Sequence, residues 1–133
     1  MNSEMMVAKG TKVRRINLSR KVAPCPRCTY MSKRHTLGKR RLREIGVDVP
    51  TLLEVTYSKH YCDRCKRHFS LSMSHFALPH NRFTNRVRRT AVSLVKKQMM
   101  TLEKASEIMR QKYHVRIPST TLHDWTVLEM DGR

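Results

Sequence analysis

Acidic residues are scarce in this chain. Its 133 residues hold ten Asp and Glu against 28 Lys and Arg, a formal net charge of +18. The few carboxylates are scattered, and none pairs with another in a cluster suited to magnesium. No Gly-rich phosphate loop and no nucleophile elbow occurs either, so no enzyme activity is expected. No apolar run approaches the roughly 20 residues that span a bilayer. Residues Met1–Met6 carry no apolar signal region, so no secretory export is expected. Aromatic residues number only eight and the apolar fraction is 39%, thin for one large core. A small module supported by a metal would ease that shortage. The cations are spread along the whole chain and form no single amphipathic anchor, which argues against a membrane partner. So large a positive excess repels itself in a compact state, and a polyanionic partner is its natural counterpart.

Cysteine is rare but concentrated. All four cysteines lie in two C-x-x-C hooks, Cys25-Pro26-Arg27-Cys28 and Cys62-Asp63-Arg64-Cys65, with 33 residues between Cys28 and Cys62. Two hooks offer four thiolates, the number a closed tetrahedral structural zinc site needs. The expected cofactor is therefore one structural Zn2+ held by Cys25, Cys28, Cys62 and Cys65. Two alternatives stay open. Cys-Pro-x-Cys also occurs in disulfide oxidoreductases, although a redox pair has no use for a second hook. His60 or His68, each beside a hook, can stand in for one cysteine. A reducing compartment suits free thiolates, so a cytoplasmic, nucleoid-associated location is expected.

Periodicity predicts an α+β chain in three parts. Residues 1–20 read as a basic flexible arm. Residues 21–80 read as a zinc ribbon. Its strand, from Leu52 to Tyr61, alternates Leu53, Val55 and Tyr57 with Glu54, Thr56 and Ser58. That strand runs into Cys62, and a returning strand is expected over His68–Met73. The basic stretch Met31–Arg43 is expected to turn at Gly38. Residues 81–133 change to helical period. A first helix is expected from Thr84 to Met99, with Val87, Ala91, Val92, Leu94, Val95 and Met99 inside. A second follows its N-cap at Thr101, with Leu102, Ala105, Ile108 and Met109 inside. A third begins at Pro118 or Ser119, with Leu122, Trp125 and Val127 or Leu128 inside and Gly132 as its stop. Three short helices of this kind fit an all-α helix-turn-helix domain.

The residues that would meet a polyanion follow from this layout. Phosphate contacts are expected from Lys33, Arg34, Lys39, Arg40, Arg41 and Arg43 between the hooks, and from Lys66 and Arg67 after the second. Arg86, Arg88, Arg89, Lys96, Lys97 and Arg116 of the helical part complete the set. The opening of the third helix supplies the candidates for reading base edges: Ser119, Thr120, Thr121, His123 and Asp124.

One known arrangement has the same order of parts. A Cys-Pro-x-Cys hook precedes Arg40-Arg41-Leu42-Arg43-Glu44-Ile45, Val49-Pro50 and a strand into Tyr61-Cys62-x-x-Cys65-x-x-His68-Phe69, followed by a basic helix and a helix-turn-helix. Residues 22–128 thereby resemble the N-terminal region of insertion-sequence transposases of the ISL-three group. The resemblance implies a zinc-binding domain and a helix-turn-helix that together bind terminal inverted repeats, with the four cysteines as ligands. Thr29 departs from the pattern, since a glycine often follows the first hook. The family's Asp-Asp-Glu triad has no counterpart here, and none of it is carried over. The expected partner is double-stranded DNA, an inverted repeat or an operator, with a full-length transposase or a second copy of this chain as a protein partner. A stand-alone transcriptional regulator, or an RNA-associated zinc-ribbon protein, fits the same composition.

Overall fold

A computed structural model describes residues 10–78 and 81–131 of the chain. Among the described residues, five strands and three helices make an α+β architecture. Its centre is β4, Thr51–Cys62, the strand whose alternating β-formers are plainest in the sequence. Along one edge of β4 runs β3, Met31–Glu44, antiparallel from Arg34↔His60 to Glu44↔Thr51. Two short strands share the other edge. β1, Lys12–Asn17, runs parallel to Thr51–Thr56, and β5, Arg67–Ser70, runs antiparallel to Lys59–Cys62. β2, Val22–Pro24, pairs with the start of β3.

Three sequence expectations change here. Residues Lys12–Asn17 are not a free arm but an edge strand. Ile16 of this strand packs on Leu42, Leu53 and Val55. The Lys and Arg around it are what an edge strand carries to discourage further pairing, and they hid it from the pattern. Residues 1–9 of the expected arm lie outside the described residues. Gly38 does not turn the chain, because it sits inside the 14-residue β3. A Cβ there would lie 2.6 Å from Cζ of Tyr57, its cross-strand partner. The glycine therefore makes room for an aromatic ring. The returning strand stops at Ser70 and not at Met73.

The helices follow their caps. Thr84 caps α1, Asn85–Lys96, by accepting from the Val87 N–H, and Thr101 caps α2, Leu102–Tyr113, by accepting from the Lys104 N–H. α1 ends three residues before the expected Met99, which is left-handed at φ 58° and exposed. α3, Ser119–Asp131, buries Leu122, Trp125 and Thr126. Val127 and Leu128 are exposed and not internal. Gly132 lies outside the described residues.

Two apolar clusters result. One is helical: Phe83, Val87, Ala91, Met109, Ile117 and Leu122 are among its members, and Trp125 meets Phe83 edge-on at 5.3 Å. The other is small. It lies on one face of the sheet, where Leu42, Leu53, Val55 and Ala77 are buried beneath Met73 and Phe76. Buried Glu44 joins the two halves. Its Oε1 accepts from the Thr84 hydroxyl and the Ile45 N–H, both at 2.8 Å, so a carboxylate at the end of β3 sits at the N-terminus of α1. Backbone bonds from Arg43 N to Arg82 O, Thr84 N to Arg43 O and Gly46 N to Tyr113 O complete the seam.

Candidate metal centre and cationic surfaces

Each hook is a turn between antiparallel strands: the first joins β2 to β3, the second β4 to β5. The two turns share one backbone bond, and in each a backbone N–H points at the first sulfur. Thr29 N bonds Cys25 O at 2.8 Å, and Lys66 N bonds Cys62 O at 2.8 Å. Arg27 N points at the Cys25 sulfur and Cys65 N at the Cys62 sulfur, both at 3.4 Å. The residue after each hook is left-handed, Thr29 at φ 63° and Lys66 at φ 57°. Only glycine takes that conformation without strain, and for β-branched Thr29 it is costly.

The topology then brings the turns together. All four sulfurs lie within 4.8 Å of one another, with Cys25–Cys65 at 3.9 Å and Cys28–Cys62 at 3.5 Å. These separations are far beyond a disulfide bond of about 2.05 Å. They match the edge of about 3.8 Å that a tetrahedron with metal–sulfur bonds of about 2.3 Å requires. Four cysteines in this arrangement can hold a metal ion. Arg64 of the second hook lies over the ring of Tyr30, just past the first, at 5.3 Å. That contact adds a direct tie between the hooks.

The thiols are primed unequally. Backbone N–H groups pull Cys62 down to about 6, that of Cys65 first, against the opposing effect of burial. Backbone hydrogen bonds in the first hook lower Cys25 in the same way. Cys65 is pushed up to about 12, first by its hydrogen bond with Cys28 and then by burial. The fold thus favours the thiolate form at Cys62 and Cys25 and disfavours it at Cys65, whose proton a bound cation would displace. The histidine alternatives do not enter the cluster. Both ring nitrogens of His60 are engaged, by Ser58 Oγ at 2.7 Å and Ser32 O at 3.0 Å, and its ring stacks on Phe69. His68 lies against the rings of Tyr61 and His35. Among the described residues the four cysteines are the group placed to hold a metal.

The basic residues divide by what they touch. Arg40 donates to the carbonyls of Leu78 and Asn81 and ties the segment below the sheet in place. Arg41 grips buried Glu54 through Nη2 at 2.8 Å and Nε at 3.1 Å, and Arg15 reaches the same carboxylate at 3.2 Å. Burial alone would raise the Glu54 pKa, but the hydrogen bond and charge of Arg41, helped by Lys39 and Arg15, hold it below the usual carboxylate value. Arg40 and Arg41 thus hold the fold as well as carrying charge. Arg88 is half-buried on α1, whereas Lys33, Arg34, Lys39, Arg43, Lys66 and Arg67 are exposed. Exposed too are Arg86, Arg89, Lys96, Lys97 and Arg116.

A hollow of about 1020 Å3 opens between the end of β3, Leu78 and Asn81–Phe83, α2 and the start of α3. Arg43, Arg82, Arg110 and Arg116 line it, as do Ser119 and Thr121, with Glu103 and Glu107 on the α2 side. Of the base-reading candidates, Ser119 and Thr121 therefore face this groove. Thr120, His123 and Asp124 are exposed and do not line it, and His123 Nδ1 lies 3.7 Å from Asp124. The linker before α3 is held firmly: Val115 and Ile117 are buried, and Ser106 Oγ donates to Ile117 O at 2.6 Å. Its length reflects packing, not slack. Sequence reasoning missed Arg15, Arg82 and Arg110, because isolated cations on a strand, a loop and a helix carry no signal until the fold groups them.

Among the described residues no helix is long and apolar enough to cross a membrane. No family model matches the chain, and no curated protein or solved structure matches it.

Proposed function

We propose that this chain is a zinc-stapled module that binds double-stranded DNA, of the kind that recognises the inverted repeats at transposon ends. The observation that carries the reading is the groove. Four arginines from β3, a loop, α2 and the α3 linker converge where α3 begins, with Ser119 and Thr121 on the same wall. Arginines at such a site neutralise phosphates, and the first turn of a helix-turn-helix recognition helix meets base edges. On this reading α2, the linker and α3 are the helix-turn-helix, and the hooked strands are a zinc ribbon. Zinc is the metal that an all-thiolate tetrahedron favours. Four protein ligands leave no open position, so the ion is structural. The order of hooks, Arg-Leu-Arg segment and helices, with its resemblance to ISL-three-group transposases, supports transposon ends as the target.

Selection of bound sequences from a random duplex library, with and without a zinc chelator, tests the proposal. One enriched motif is expected, lost on chelation, with affinity falling steeply as salt rises. Arg43→Ala and Arg110→Ala should each reduce the slope of log K against log salt by about 0.9, one phosphate apiece. No enrichment at moderate salt sinks sequence-specific binding, and preference for structured RNA over duplex moves the chain to another class.

A further inference from the structure

A second surface, at the metal end, is built from rings. β3 carries a bulge there: Arg34 pairs with His60 and Thr36 with Lys59, so His35 is one residue too many. Bulges re-aim side chains, and this one sets the His35 ring 5.2 Å from that of His68 on β5. His68 in turn lies 4.8 Å from Tyr61, its cross-strand partner on β4. Three strands thus each contribute one ring to one side of the sheet, with His35 and His68 exposed and Tyr61 half-buried. The rings are tilted by 56° and 59°. Beside them is a hollow of about 370 Å3 whose walls include Tyr61, His35, Tyr30, Lys33 and Arg34, with Asp63 as the one acidic wall. Along β4 the same face continues through Lys59 to Tyr57, whose ring end lies against Gly38.

Rings that reach solvent beside a hollow and are flanked by cations suit one class of ligand. A flat ring offers a stacking partner to another flat ring, and Lys33 and Arg34 suit the phosphate joined to it. A base inside a duplex has both faces covered by its neighbours. We infer that the Tyr61–His68–His35 platform binds an unpaired nucleotide, a base of single-stranded DNA, in the hollow at the metal end. This site is separate from the arginine groove and stands without the duplex reading.

Anisotropy of a short labelled oligodeoxythymidine, titrated with the zinc-loaded chain, tests it. Tyr61→Ala and His35→Ala should each weaken binding by roughly tenfold, the loss expected from one stacked base. Tyr61→Phe keeps the ring and should bind within roughly twofold of the parent. Unchanged zinc content and circular dichroism in each variant separate this loss from misfolding. Blunt duplex binding should be unaffected by Tyr61→Ala, whereas Arg110→Ala should weaken it and spare the oligonucleotide. Equal oligonucleotide binding by parent and both alanine variants overturns the inference. So does stoichiometric uptake of Ni2+ by the zinc-loaded chain that His35→Ala abolishes while oligonucleotide binding persists, since the rings would then be metal ligands.

Discussion

The two halves of this molecule hold themselves together by different means. Among the described residues the helical half buries Phe83, Trp125, Met109, Ile117 and Leu122 in one cluster with six further buried residues and six partly buried apolar neighbours. The sheet half buries only Leu42, Leu53, Val55 and Ala77 in its own. Its other internal contacts are polar: the Glu54 carboxylate between Arg41 and Arg15, His60 between Ser58 and Ser32, and the sulfur cluster. A sheet with so little apolar burial has to be fastened at its ends, and the four clustered cysteines, which can hold a metal ion, join its two hooked hairpins at one end. The helical half fastens the other end through Glu44 and Thr84.

Metal removal is the largest way to test that contrast. If the four cysteines hold zinc as proposed, a structural ion of that kind contributes about 10–16 kcal/mol at neutral pH, as much as a whole domain's stability. Chelation, or Cys62→Ser, should collapse the amide dispersion of β3, β4 and β5 while helical ellipticity persists. Simultaneous loss of the helices would break the comparison and make the chain one cooperative unit.

A smaller effect is expected at Glu54. Glu54→Gln removes the charge that orders two guanidinium groups, at a cost of about 1–2 kcal/mol, reduced because Arg15 is largely in solvent. The folded carboxyl is held below its ordinary value of 4.5. Its contribution is therefore full above that value and is lost as pH falls through the lower folded one. Denaturation midpoints measured across that window should fall more steeply with acid in the parent than in the variant. Parallel curves would show that Glu54 contributes nothing to the sheet half.

Smallest is the strain at the hooks. Thr29→Gly relieves a β-branched residue at φ 63° and should stabilise the sheet half by about 1 kcal/mol. A zinc competition titration should show tighter metal binding by the same amount, since the strain sits in the ligand turn. No change, or a loss, would mean that glycine's extra freedom in the unfolded chain cancels the relief.

What could be read in advance tracks how local each signal is. The second hook and the strand into it were visible because both lie in one short run. The caps Thr84 and Thr101 were visible because one side chain and one nearby N–H define each. β1 and β3 were not, since neither has a strand's apolar alternation and both are held by pairing with β4. The site shows the same division. The four cysteines of the candidate metal centre are legible by spacing. By contrast, Arg40 and Arg41 look like any other cations until their partners Leu78, Asn81 and Glu54 are in place.

The sequence by itself determined the ligand set, the helix starts and the sign of the electrostatic field. Each depends on composition or on residues a few positions apart. Only the tertiary structure decided that the two hooks converge, that Arg43, Arg82, Arg110 and Arg116 share a groove, and that His35, Tyr61 and His68 share a face. Those groupings depend on strand register and helix docking, where one bulge at His35 changes which side chains meet.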